Sequence, residues 1–187
     1  DSFDYVLTDA DGGTDMGTAW ITVDEMVWFI NNAAPTAGDG RLGSPFNSLA
    51  AFNVAQTRAG ARDPAAGDII YVYQGSGSYN NGIALKAGQK LLGQEVALIL
   101  NGVTIVPAGV SPTLINTTGD NSGNGIVLST DNVVSGLTVG NTTGVGMVGA
   151  SVGELVVSDV AINGTGRPIS ITGGKVQMSF DSLSTTS

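Results

Sequence analysis

Apolar and polar residues alternate at the start of the chain. Phe3, Tyr5 and Leu7 are interleaved with Ser2, Asp4, Val6 and Thr8, and Ala19, Ile21 and Val23 with Thr18, Trp20 and Thr22. A period of two sends successive side chains to opposite faces, so residues 1–23 read as two strands with one buried face. Between them DADGG (9–13) supplies Asp and Gly, which tolerate the positive φ of a tight turn. An isolated two-stranded hairpin is marginal in water. These strands are therefore expected to join a larger sheet, or to pack on the rest of the chain with Trp20 as a contact.

The pattern then changes. MVWFI (26–30) is a short apolar strand, and NNAAPTAGDGRLG (31–43) is rich in chain breakers. SPFNSLAAFNVAQTRAG follows, and its spacing predicts a helix over 44–59. Ser44 suits the N-cap, Pro45 the first helical position, and Gly60 the end. Phe46, Leu49, Ala50 and Val54 then share one face.

From residue 67 the chain becomes short strands separated by Gly, Asn and Ser turns. DIIYVYQG puts Ile70 and Val72 on one face and Tyr71 and Tyr73 on the other. GIALKAGQKLLGQ, VTIVPAG and PTLINTTGDNSG continue it, and the last third repeats. Ile126, Met147 and Ile169 anchor three similar segments, separated by 21 and 22 residues. Repetition at this period with no intervening helix signals a parallel β-helix, a solenoid whose strands pair with their equivalents one winding above and below. Val134, Leu137 and Val139 should stack on Val157, Val160 and Ile162. In the third copy Met178 and Leu183 fit, whereas Asp181 falls where Val160 stood. The expected fold is all-β: a hairpin over 1–25, a junction with loop and capping helix over 26–66, and coils of about 21–22 residues over 67–187.

Composition narrows the function. Of 187 residues 28 are Gly and only 12% are charged, as in a turn-rich β protein. Sixteen acidic residues outnumber seven basic ones, giving a net charge of −9, which disfavours nucleic acid. Seven of the acids lie in the first 25 residues, which hold no base, marking that piece as a separate unit. The absence of Cys excludes disulfides and thiolate sites, and the absence of His removes the commonest general base and metal ligand. No apolar run has the length of a membrane helix. A start at Asp1 rather than Met reads as that of a processed or excised piece.

Two resemblances follow from quoted residues. YVLTDADGGTDMGTAWITV (5–23) resembles the closing two strands of bacterial immunoglobulin-like and cadherin-like repeats, departing from them at Met16 and Trp20, where those repeats usually have Thr. Residues 28 to about 184 resemble right-handed parallel β-helix domains of the pectin-lyase-like class. The resemblance is carried by Ser44-Pro45-Phe46, Leu49-Ala50-Ala51, Gly67-Asp68 with Ile70-Tyr71-Val72, Gly88, and Leu91 with Gly93. It implies that the helix covers the solenoid's first end with Phe46 and Leu49 facing in, and that Gly67-Asp68 turns the chain into the first coil. Together the two imply a structural or adhesive module of a large secreted or cell-surface bacterial protein. The alternatives are the non-catalytic N-terminal part of a β-helix polysaccharide lyase or hydrolase, and a filament subunit that uses the hairpin for strand exchange.

Candidate chemistry is sparse. Asp9, Asp11 and Asp15 offer oxygen ligands for Ca²⁺, and Asp24 and Glu25 offer an interdomain site, but the closing Glu of an EF-hand loop is missing and a hairpin turn explains the first three. No other cofactor is expected. Tyr71, Tyr73 and Tyr79 form either a strip for stacking on sugar rings or a packed cluster under the 31–43 loop. The acids of the coils are scattered and form no stacked pair suited to glycoside chemistry, although Asp131 and Glu154 fall in equivalent turns. GVGMVG (144–149) has the GxGxxG spacing but no following helix. The expected partners are glycans, other surface proteins or further copies of the chain.

Overall fold

The computed structural model describes residues 2–21, 25–58, 60 and 62–186. The chain is all-β, with 50% strand and 7% helix, and its body is a parallel β-solenoid of about 5 turns. The antiparallel hairpin β1 (Ser2–Thr8) and β2 (Thr14–Trp20) comes first. Parallel pairing then begins earlier than residue 67, because β3 (Val27–Ile30) is already the first rung and pairs with β4 (Ile69–Val72). Between them lies the helix α1 (Leu49–Gln56).

The first coil is completed by β5 (Tyr79–Asn80) and β6 (Ile83–Ala84), each on a different face. The second coil contains β7 (Lys90–Gly93), an antiparallel excursion of β8 (Leu98–Leu100) and β9 (Val103–Val106), β10 (Thr113–Asn116), a 3₁₀ turn at Asp120–Gly123, and β11 (Ile126–Val127). The third has β12 (Val133–Thr142) and β13 (Val145–Ala150), and the fourth β14 (Glu154–Gly164) and β15 (Arg167–Thr172). The last strand, β16 (Lys175–Thr185), pairs in parallel on β14.

Register follows the repeat read from sequence. Val134, Leu137 and Val139 pair with Val157, Val160 and Ile162, and Ile126, Met147 and Ile169 align across β11, β13 and β15. The interior is therefore a set of aliphatic columns. One runs Trp28–Ile70–Leu91–Val134–Val157–Met178. A second runs Tyr79–Leu114–Val139–Ile162–Leu183. A third runs Ile83–Ile126–Met147–Ile169. Phe180, rather than Asp181, stacks on Val160, because a register shift leaves Asp181 unpaired between Phe180 and Ser182.

In the first coils two of the faces are built from separate strands, and in β12 they fuse. Its first residues pair with β7 and its last with β10. The bend between them falls at Gly136, with φ of +72°, and recurs one coil later at Asp159, with φ of +52°. A residue in the left-handed region turns the strand through the corner without ending it. The β8–β9 hairpin leaves the coil rather than continuing it. Its Asn101-Gly102 turn has both residues at positive φ, the signature of a tight hairpin. Leu98 and Val106 pack with Phe29, Ile69 and Tyr71 on the outer side of the first rungs, which makes a second small core.

The capping segment differs from its expected form. Phe46 is extended, with its N–H donating to Phe29 O at 2.9 Å and its carbonyl accepting from Asn31 N at 2.8 Å, so it adds to the free edge of β3. A helix cannot start at Ser44 while Phe46 serves that edge. It starts instead after Ser48, whose hydroxyl accepts from Ala51 N at 3.1 Å, and Thr57 rather than Gly60 closes it. Leu49, Phe52, Ala55 and Gln56 face inward, whereas Ala50 and Val54 of the expected face point to solvent. The docked face is set by the solenoid edge: Asn53 Nδ2 donates to Gly82 O at 3.0 Å and Gln56 Nε2 to Ala84 O at 2.9 Å. The helix thus bonds the carbonyls of Gly82, just before β6, and of Ala84 within it, along an edge that no strand pairs among the described residues.

Candidate functional site

The acidic hairpin is built as a turn. Asp9 Oδ1 accepts from Asp11 N at 3.0 Å and from Gly13 N at 2.7 Å, which is an Asx turn, and Asp15 Oδ1 accepts from Met16 N at 2.9 Å. Asp11 is exposed at the tip. Glu25 is drawn the other way, to Lys90 Nζ at 2.6 Å. Asp24 lies outside the described residues. Among the described residues, no group of three Asp or Glu side chains converges on a point where a metal would sit.

The hairpin also departs from the expected buried face. Every residue of β1 is exposed, and Trp20, the anticipated contact, is 80% exposed. Phe3, Tyr5 and Leu7 share one face, and Met16 and Trp20 lie on the other.

The tyrosines are packed. Tyr71 is fully buried, its hydroxyl donating to Val96 O at 3.0 Å, with Tyr73 edge-on at 5.5 Å and Phe29 at 6.2 Å. Tyr79 is buried too, donating to Tyr73 O at 2.7 Å and accepting from Asn32 N at 3.2 Å, beneath the start of the 31–43 loop. With Tyr71 and Tyr79 covered, the three rings are not an exposed sugar-stacking strip. Burial, with the neighbouring Tyr73 adding to it, pushes Tyr71 up to about 12. Burial raises Tyr73 as well, and it pushes Tyr79 to about 12 against the opposing bond from Asn32.

These shifts carry a sign. Below pH 10 both folded and unfolded chains hold the phenol protons. Above it the unfolded chain releases them and the folded chain does not, so stability falls with rising pH. The tyrosines' contribution to the unfolding free energy should be level below pH 10 and should fall between 10 and 12, by about 1 kcal/mol at pH 11 for each of Tyr71 and Tyr79, and the denaturant midpoint should fall with it. Urea titrations across this range, with Tyr71→Phe showing a shallower alkaline limb, check it.

The coil acids serve the backbone. Asp131, at φ +58°, accepts from Glu154 N at 2.8 Å, so the two are neighbours in stacked turns as expected. Asp68 lies inside the solenoid, where its carboxylate accepts from Trp28 Nε1 and Ala65 N at 2.7 Å each and from Met26 N at 3.1 Å. Gln89 and Asn132 occupy the equivalent position in the next coils. Gln56 and Gln89 exchange two amide bonds, at 2.7 and 3.0 Å, and Asn132 Nδ2 donates to Gln89 O at 3.0 Å. This buried polar column passes into Leu155 and Val176 farther along. GVGMVG lies within β13, a strand.

Two surface features bear on function. A cleft of about 320 Å³ separates α1 from the 3₁₀ turn and is lined by Asn53, Asn81, Asp120 and Asn121, with Val54 at its edge. Asn53 Oδ1 is buried with no hydrogen-bond partner. Amide and carboxylate groups beside a small apolar patch suit the hydroxyls and ring carbons of sugars. The other feature is the far end of the solenoid. Among the described residues β15 and β16 pair on one side only, and there Val176 and Leu183 are each about half exposed, with Met178, Phe180 and Ile169 partly covered.

No family model, curated protein or solved structure matches the chain. No helix among the described residues is long and apolar enough to cross a membrane.

Proposed function

We propose that the chain is a structural and adhesive module of a large secreted or cell-surface bacterial protein, a stiff spacer that presents glycan-contacting surface. In this reading the solenoid is right-handed and of the pectin-lyase-like class, and the hairpin is the last of an immunoglobulin-like repeat. The carrying observation is the column Trp28–Ile70–Leu91–Val134–Val157–Met178, which runs unbroken through six rungs. Stacked aliphatic side chains and parallel ladders resist bending and shear, because each rung is held by both neighbours. Three carboxylates of the coils are engaged within the fold, Asp131 in a turn, Asp159 at the corner and Asp68 inside the core. The amide-lined cleft supports glycans as the ligand class.

The test is a panel of bacterial and plant polysaccharides assayed for both binding and chain cleavage. Binding without new reducing or unsaturated ends, weakened by Asn121→Ala in the cleft, is the expected result. Release of such ends by the purified chain overturns the reading in favour of a polysaccharide lyase or hydrolase.

A further inference from the structure

The cleft between α1 and the 3₁₀ turn is uneven in its hydrogen-bonding groups. Its donors are largely spent inside the fold. Asn53 Nδ2 donates to Gly82 O at 3.0 Å, and Asn121 Nδ2 to Asn81 O at 3.5 Å. Each of these bonds ends on a backbone carbonyl, which can only accept. Each therefore fixes which side-chain atom is the nitrogen and leaves the oxygen over. The Thr57 hydroxyl donates to Val54 O at 2.8 Å and keeps only accepting capacity. Asn81 Nδ2 is the one amide donor of the lining without a partner among the described residues.

The acceptors are left over. The Thr118 hydroxyl engages Asp120 Oδ2 at 3.1 Å, and no donor among the described residues reaches Asp120 Oδ1. Asn121 Oδ1 likewise accepts nothing among the described residues. No Lys or Arg lines the cleft, and no ion pair among the described residues uses Asp120. A carboxylate and an amide oxygen beside Val54 call for a ligand that brings N–H donors and positive charge on an apolar ring. The whole chain agrees, since a net charge of −9 draws cations and repels polyanions.

We propose that the glycan of this cleft is a cationic amino sugar, its ammonium donating to the Asp120 carboxylate and Asn121 Oδ1 while its ring carbons lie on Val54. The proposal rests on the glycan reading above and narrows it. An acidic polysaccharide would set its carboxylate against Asp120 with no base in the cleft to offset it. A divalent cation calls for several carboxylates, and this lining supplies one.

Isothermal titration calorimetry of the full chain tests it, with glucosamine oligosaccharides, their N-acetylated counterparts and uronic acid oligosaccharides of equal length. N-acetylation keeps the ring and removes the charge. The glucosamine series should bind at least about tenfold more tightly than either of the others, the factor that one charge-assisted hydrogen bond supplies. Its affinity should fall several-fold between about 0.05 and 0.5 M NaCl as the attraction is screened. Asp120→Asn, a nearly isosteric change at an exposed residue, should weaken the glucosamine series about tenfold and leave any binding of the N-acetylated series within about twofold. An Asp120→Asn chain that binds glucosamine oligosaccharides like wild type overturns the proposal. Equal or tighter binding of the N-acetylated or uronic acid series overturns it too, and leaves the glycan reading standing. Binding of none of the three also overturns it, and the wider polysaccharide panel then decides the glycan reading. Calcium chloride alone that binds wild type and not Asp120→Asn, or a lysine peptide that matches the glucosamine series, overturns it by assigning the carboxylate to a metal or to a protein partner.

Discussion

Replacing Asp68 by alanine should destabilise the chain by about 3 kcal/mol or more, the largest effect expected from a single polar substitution here. The carboxylate receives three N–H groups, from Met26, Ala65 and the Trp28 indole, and it is almost wholly buried. Alanine leaves those donors without an acceptor in a place water reaches poorly, so the desolvation cost of each is added to the lost bond. The three donors come from the first rung and from the segment leading into β4. Their release should therefore loosen the capped end before the rest. Trp28 reports this directly, being buried under the Arg41 guanidinium at 4.7 Å, whereas Trp20 is exposed. In a Trp20→Phe background, Asp68→Ala should red-shift the remaining emission and lower the urea midpoint. An unchanged midpoint would show that the carboxylate contributes no net stability.

Leu137→Ala should cost 2–5 kcal/mol, on the order found for buried leucines in close-packed cores. Leu137 is fully buried, pairs with Val160 above it, and sits just after the corner at Gly136. Its cavity cannot close easily, because collapse would have to shift a rung that is bonded on both sides. Val54→Ala, on the exposed side of α1, removes aliphatic surface without opening a cavity and should change stability by less than about 0.5 kcal/mol. Paired urea titrations of the two variants measure the contrast. A Leu137→Ala chain as stable as Val54→Ala would contradict the column arrangement.

Some of this architecture was legible in the residues. The copies anchored on Ile126, Met147 and Ile169 align in space as they do in sequence, and Val134, Leu137 and Val139 stack where their spacing put them. A solenoid makes this possible, since each residue's main neighbour is its equivalent one repeat away and the period is itself the contact map. The faces of β4 were readable for a related reason. Alternation alone puts Ile70 and Val72 on one face and Tyr71 and Tyr73 on the other, and the structure turns the first pair into the solenoid.

The cap was legible in kind but not in detail. SPF has the marks of a helix start, yet the unpaired edge of β3 takes Phe46 as a strand and delays the helix to Ser48. The demand of a sheet edge for hydrogen bonds outweighs a local capping preference worth about 1 kcal/mol. Of the tyrosines, packing under the 31–43 loop was one of the two readings and Tyr79 does bond Asn32 N there, but the cover that the β8–β9 excursion gives Tyr71 leaves no mark near that residue.

By itself, then, the sequence determined the all-β character, the repeat period and the residues that form the columns, because periodicity and stacking are local properties repeated along the chain. Only the tertiary structure decided that Asp68 is an interior clip and that the helix α1 turns Phe52 rather than Val54 inward. Those outcomes depend on which backbone groups are left unpaired once the rungs have stacked, and that is a property of the assembled edges rather than of any one segment.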